Sequence, residues 1–363
     1  MPLSCLDENG DRIQAFDLTT DLWDALKADN RKRRHLKMPC CGSSVVLKKS
    51  RRGTPFFAHA KIGPCLTADE GEEHRALKVM AVEVARECGW LAETEVSGST
   101  PTGDQWRADV LATKGTAKVA IEIQWSGQVD DETIRRQERY RQSGVRGLWL
   151  LRQPGFPVCQ DLPAICIGGT LDEGFHALLP HWWSRMSRND RKDMTGWKAV
   201  VPMADFIRAA LSKRLRWGRI TDVGATAEAE VLVAEADCET CGVITDIIVG
   251  IELNVAGERV DVSLLDLTDH DSLIVELRRH LPPSFDQGHL KVRYSRTRKE
   301  RYLSNGCSGC DRLYGDFYLA GYRSEATVLC RYPISLTGDW SKLVQESDDW
   351  ENGEPEWWLI PEP

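Results

Sequence analysis

Residues Trp106 to Ser126 read WRADVLATKGTAKVAIEIQWS. Two short apolar runs flank a turn at Lys114-Gly115-Thr116, and each run carries one carboxylate, Asp109 in the first and Glu122 in the second. Side-chain direction repeats every two residues along a strand, so Glu122 and Gln124 share a face. A carboxylate inside a buried strand costs free energy unless something pairs with it. A divalent cation held between the two strands would answer that need, and hard cations such as Mg²⁺ or Mn²⁺ take carboxylate and carbonyl oxygens. Two acids at a strand edge, turned to solvent, would show the same pattern.

The chain has 363 residues, enough for two or three domains. Hydrophobic residues make up 42% and charged residues 28%, values of a soluble globular protein. No run reaches the roughly 18 apolar residues of a membrane span. The start, MPLSCLDENGDR, lacks the basic and apolar regions of a signal peptide, so a cytoplasmic location is expected. The twelve cysteines are then expected to be reduced or metal-bound. A net charge of −8 excludes a uniformly basic nucleic-acid binder. Basic clusters nevertheless occur at 31–34, 48–52, 213–219 and 291–301, and the last stretch is acidic.

Outward from the hairpin, residues 69–88 show helical spacing of Leu77, Met80, Ala81, Val84 and Ala85, with Gly89 as the stop. Glu70, His74 and Lys78 line one side of this helix. Strands are expected at 91–96, 106–112 and 118–125, a helix at 130–142 and a buried strand at 147–151. The order is αβββαβ, which packs as a sheet between helices. Upstream, residues 1–66 form a small unit with a hairpin at 44–59. Downstream, prolines and glycines from 153 to 171 and a Trp-rich segment suggest a linker and spacer over 156–200. A helix is expected at 204–216, inside a C-terminal α+β domain of residues 201–363.

The Glu70-x-x-x-His74-x-x-x-Lys78 helix, Arg107-Ala108-Asp109-Val110, and Glu122-Ile123-Gln124-x-Ser126 together resemble the competence protein CoiA-like family. That family is a branch of the PD-(D/E)xK nuclease superfamily. Arg136 and Tyr140, the Gly144–Trp149 segment and Phe57-Ala58-His59 also match, so the resemblance spans about residues 36–152. It implies an α/β restriction-endonuclease-like core over 67–155 and a Mg²⁺- or Mn²⁺-dependent DNA nuclease. Asp109 and Glu122 would be the metal ligands, with the carbonyl of Ile123 as a third oxygen. Glu70 would bind metal directly or through water, and His74 would shuttle a proton or touch phosphate. Gln124 stands where many superfamily members carry Lys. It offers a dipole in place of a charge.

Cys238-x-x-Cys241 and Cys307-x-x-Cys310 have the spacing of two zinc knuckles. The intervening 65 residues must fold to bring them together as a ribbon with a long insertion. The basic run Lys291–Tyr302 precedes the second pair and suits either a nucleic-acid surface or a solvated strand pair. In the N-terminal hairpin, Cys41, His59 and Cys65, with or without Cys40, form a second zinc candidate. The family's usual Cys and His are replaced there by Met38 and Phe56, so a hairpin without metal is the alternative. Exposed Trp often anchors partners, so the Trp-rich or acidic C-terminal region could bind another protein. The expected function is cleavage of incoming or foreign DNA. The alternative is an inactive, zinc-containing DNA-binding or interaction subunit of an uptake, repair or defence assembly.

Overall fold

The computed structural model describes residues 2–61, 71–125, 130–181, 187–255, 258–347 and 354–360. Glu70 and Cys65, both singled out above, lie outside these residues, as do Trp182, Trp183 and the acidic residues 348–351. The chain divides into two compact units, Met1–Leu215 and Arg216–Pro363. No helix among the described residues is long and apolar enough to cross a membrane.

The first unit begins with β1 (Ser4–Leu6), β2 (Arg12–Gln14), α1 (Thr20–Arg33), β3 (Val45–Lys49) and β4 (Pro55–His59). Trp23, Leu36, Met38 and Phe57 form its small core. Then follow α2 (Glu72–Glu87), β5 (Leu91–Ser99), β6 (Gln105–Lys114), β7 (Ala117–Gln124), α3 (Asp130–Gln142) and β8 (Arg146–Leu151). This is the expected αβββαβ order. Both helices end as their sequences direct. Gly89 (φ 75) lets the Trp90 amide reach the Ala85 carbonyl, and Gly144 (φ 66) lets Val145 reach Tyr140. The β6–β7 hairpin closes through Gly115 at φ 59, a value only glycine adopts cheaply.

The sheet does not stop at β8. β9 (Ala164–Thr170), β10 (Gly174–Leu179) and β11 (Ala199–Pro202) continue it, giving seven strands in the order β11-β10-β9-β8-β7-β6-β5. β7, β8 and β9 are parallel neighbours and the other pairings are antiparallel. The 156–200 segment, expected as a linker and spacer, therefore supplies sheet strands. Its glycines serve close approach. A Cβ on Gly168 would meet Leu178 at 3.0 Å, and one on Gly169 (φ 71) would meet the Gly174 carbonyl at 2.0 Å. α4 (Arg188–Asp193) and α5 (Met203–Leu211) complete the unit. The helix expected over 204–216 stops at Leu211, because Lys213 takes φ 63 and the chain then turns extended.

Helix α3 covers one face of the sheet. Tyr140 and Val145 pack on Ala108, Ala120, Trp149 and Leu151. In β7 every residue from Ala120 to Ile123 is buried, so the strand has protein on both faces.

The second unit opens at β12 (Leu215–Gly218) and α6 (Ile220–Val223). A four-stranded antiparallel sheet follows, built from β13 (Thr226–Asp237), β14 (Ile244–Val255), β15 (Glu258–Val262) and, later, β18 (Thr327–Ser335), in the order β15-β14-β13-β18. Between them lie α7 (Asp271–His280), the hairpin β16 (Leu290–Ser295) and β17 (Glu300–Asn305), and α8 (Asp316–Tyr322). The unit closes with α9 (Gly338–Glu346) and β19 (Glu356–Leu359), which pairs with β12. Trp357 and Trp358, in the acidic C-terminal region, are half-buried. Trp357 packs edge-on against Trp217, and the Trp358 indole donates to the Gly218 carbonyl at 2.9 Å.

Candidate active site and metal centres

Asp109 sits where the regular ladder is interrupted. Thr94 pairs with Val110 and Val96 with Ala108, but the Glu95–Asp109 step between them is missing, and Glu95 has φ 60. On the other side, the β6–β7 pairing runs to Val110–Ile121 and no further. There the Asp109 carboxylate replaces the lost backbone partner, accepting from the Ile123 amide at 3.0 Å. The same carboxylate faces α2, with His74 Nε2 at 3.3 Å and Lys78 Nζ at 3.0 Å. His74 and Lys78 are one helical turn apart, which is why both reach one acid. Burial pushes the Asp109 carboxyl up. The Lys78 charge, the His74 hydrogen bond and the Ile123 amide outweigh it and hold the group well below the ordinary range.

Glu122 takes its partners from α3. Arg136 and the Tyr140 hydroxyl both donate to it, and Tyr140 also donates to the Arg107 carbonyl at 3.2 Å. The Arg136 guanidinium lies over the Trp149 ring, 5.2 Å from its centre. Glu122 is 1% exposed. Burial pushes its carboxyl up, Arg136 pulls it back, and the Asp109 charge pushes it up again, to about 7. Two carboxylates that share too little positive charge behave in this way. Gln124 is the last residue of β7, with Glu122 and Gln124 on the same side by alternation.

These groups are not yet one ligand set. Among the described residues, two clusters bring three or more His, Cys, Asp or Glu ligand atoms within 4.8 Å of one another, and both are built on cysteine. Asp109, Glu122 and His74 do not form such a cluster, because Asp109 is drawn towards α2 and Glu122 towards α3. The donor chemistry suits a hard divalent cation, since buried Glu122 and half-buried Asp109 are oxygen donors on neighbouring strands and Asp109 raises Glu122.

One acid of this site went unread in the sequence. Glu95 is 3% exposed, ion-paired to Lys78, and 3.7 Å from Arg107. Alternation with buried Ala92 and Thr94 would turn it outward beside Glu93, and only its left-handed φ turns it in. The available signal was a second carboxylate in an otherwise short apolar strand, the same signal that marked Asp109.

The first cysteine cluster is Cys238, Cys241, Cys307 and Cys310. Both knuckles are built alike. Gly242 (φ 71) and Asp311 (φ 58) follow the second cysteine of each, and their amides return to the carbonyls of Cys238 and Cys307. The Sγ atoms of Cys238 and Cys310 lie 3.6 Å apart, and those of Cys241 and Cys307 lie 3.4 Å apart. Thr245 joins the knuckles by accepting from the Ser308 amide at 3.1 Å. The strands of the insertion bring the pairs together. Asn305, at the end of β17, exchanges two hydrogen bonds with the backbone of Ile248 on β14. Burial pushes the Cys307 thiol up, but the amides of Cys310 and Gly309 outweigh it and bring it to about 6. Its neighbours Cys241 and Cys310 are raised. Four thiolates cannot crowd together without a cation, and tetrahedral sulfur ligation is what Zn²⁺ takes. The cluster could therefore hold zinc.

The second cluster is Cys40, Cys41 and His59, with Cys41 Sγ 3.2 Å and Cys40 Sγ 3.9 Å from His59 Nε2. The chain at 38–42 thus turns both adjacent cysteines towards His59. The third residue expected with Cys41 and His59, Cys65, lies outside the described residues.

Residues 70–156 match the family model described as competence protein CoiA, nuclease-like domain. The match spans α2 to just beyond β8 and takes in His74, Lys78, Glu95, Asp109 and Glu122. No curated protein matches the chain. Over residues 70–156, the chain carries a nuclease-like domain of the CoiA family.

Proposed function

We propose that the first unit is a metal-dependent nuclease of the PD-(D/E)xK type, acting on DNA. The observation that carries this reading is that half-buried Asp109 and buried Glu122 stand on β6 and β7 where the pairing of the two strands ends, within a CoiA nuclease-like domain. Asp109, Glu122 and the Ile123 carbonyl would hold Mg²⁺ or Mn²⁺, with Glu70 as a further oxygen donor. Such an ion supplies an activated water and neutralises charge on the phosphoryl oxygens.

The chain's own residues have distinct tasks. The Ile123 amide orients Asp109, and the Lys78 ammonium lies beside it. Arg136 and Tyr140 hold Glu122 against β7 and must yield an oxygen when it ligates an ion. His74 is placed to accept or return a proton next to Asp109. Gln124 orients water or phosphate by hydrogen bonding. The β16–β17 hairpin offers Tyr294 beside Arg301, both exposed, together with Arg296, Arg298 and Lys299 at its turn. This surface would take DNA, and the four-cysteine centre, filled by zinc, would hold the hairpin in place.

A second reading is favoured by one observation, namely that Glu122 is fully engaged by Arg136 and Tyr140 while Gln124 lacks the charge of a lysine. On that reading the chain binds DNA without cutting it. Single- and double-stranded DNA incubated with the chain and Mn²⁺ separates the two. Cleavage that is lost in Asp109→Ala supports the nuclease. Salt-sensitive binding that survives Asp109→Ala, with every substrate left intact by the wild type, supports the binder.

A further inference from the structure

We propose that Lys78, gripped by Glu95, delivers at Asp109 the positive charge that Gln124 cannot supply, and that Glu95 is the positioning residue for that lysine. The inference rests on the nuclease reading and deepens it. Lys78 projects from α2 and is 0% exposed. Its ammonium lies 3.0 Å from Asp109 Oδ1 and is also ion-paired with Glu95. A buried ammonium is retained only where carboxylates compensate the loss of water. Here one compensating acid is the proposed metal ligand itself.

The second compensating acid reaches Lys78 by an unfavourable route. Glu95 takes φ 60 inside a strand, a left-handed conformation that crowds a residue carrying a Cβ. It also interrupts the ladder opposite Asp109. With ordinary strand geometry Glu95 would face the same way as exposed Glu93, away from Lys78. Strain of this kind persists where the surroundings over-determine it, and it concentrates at functional sites. The result is a relay Glu95–Lys78–Asp109, with His74 on the other oxygen of Asp109. The charge is fixed, dry and one carboxylate away from the proposed ion. Being fully buried, Lys78 acts through Asp109 and does not itself grip the substrate.

The alternative is that the pair is a core ion pair and nothing more. The full chain carrying Lys78→Met and Glu95→Gln together tests this, because removing both members at once avoids leaving either one as a lone buried charge. A second protein adds Gln124→Lys to that pair. Circular dichroism checks folding, Mn²⁺ titration followed by electron paramagnetic resonance reads ion binding, and labelled DNA reads cleavage. The expected result is Mn²⁺ affinity within about threefold of wild type, with cleavage lowered about 10- to 100-fold and then largely restored by Gln124→Lys. Cleavage equal to wild type in the double variant overturns the inference. So does a loss of Mn²⁺ affinity that parallels the loss of cleavage, or a failure of Gln124→Lys to restore activity. If the wild type itself cuts no DNA with Mn²⁺, the nuclease reading has failed before the variants are compared.

Discussion

Replacing Glu122 with glutamine should stabilise β7 at alkaline pH. The wild-type carboxyl is buried beside Asp109 and moves from an ordinary value of 4.5 to about 7. A raised acid binds its proton more tightly in the folded state than in the unfolded one. Its contribution is therefore fully favourable below pH 4.5 and is lost as pH rises through about 7. At about 1.4 kcal/mol per pH step, that interval makes the loss about 3 kcal/mol by pH 8. Glutamine has nearly the shape of the protonated acid and cannot ionise. Hydrogen exchange of the 117–124 segment reads this locally, without requiring the two units to unfold together. At pH 8 the Glu122→Gln protein should exchange there roughly a hundredfold more slowly than wild type, and near pH 5 the two should nearly coincide. Saturating Mn²⁺ should slow wild-type exchange at pH 8 and leave the variant little changed. Equal or faster exchange in the variant at pH 8, or a difference that does not vary with pH, would refute the reasoning.

Other consequences reach the second unit. Cys307→Ser should lower bound zinc by about one ion per chain, measured by elemental analysis after purification under reducing conditions. Asn305→Leu removes both hydrogen bonds to Ile248 and leaves a buried amide and carbonyl unpaired, so calorimetry should show the second unit destabilised by about 2–4 kcal/mol. Tyr294→Ala with Arg301→Glu should weaken DNA binding about tenfold or more and flatten its salt dependence, read by fluorescence anisotropy, while leaving Mn²⁺ binding unchanged.

The sequence was most legible where local chemistry and packing agree. Helical spacing with a glycine stop located α2, acidic residues at 130–131 and Gly144 bounded α3, and the Lys114–Thr116 turn located the β6–β7 hairpin. These signals act over a few residues and need no tertiary context. The two Cys-x-x-Cys pairs were legible for the same reason, since each knuckle closes on itself. The β9–β10 hairpin was not legible. Glycine and proline normally interrupt structure, yet Gly168 and Gly169 are present because Leu178 and the Gly174 carbonyl come too close for a Cβ. That demand comes from the partner strand, which a local reading does not see. Glu95 was missed for a related reason. Alternation turned it to solvent, and one left-handed residue reversed it. Asp109 and Glu122 were legible as acids inside apolar strands, but their separate allegiance to α2 and α3 depends on how the ladder breaks at Glu95 and beyond Val110. The packing of Trp357 on Trp217 and the hydrogen bond from Trp358 to Gly218 join strands far apart in the chain, which a local reading does not see.

The most direct measurement compares wild type with Asp109→Asn on labelled single- and double-stranded DNA in the same Mn²⁺ buffer. Asparagine keeps the size of the side chain and removes the charge that an ion would bind. Metal-dependent cleavage by the wild type and its loss in the variant are expected. Equal cleavage by both proteins, or none by either, would contradict it.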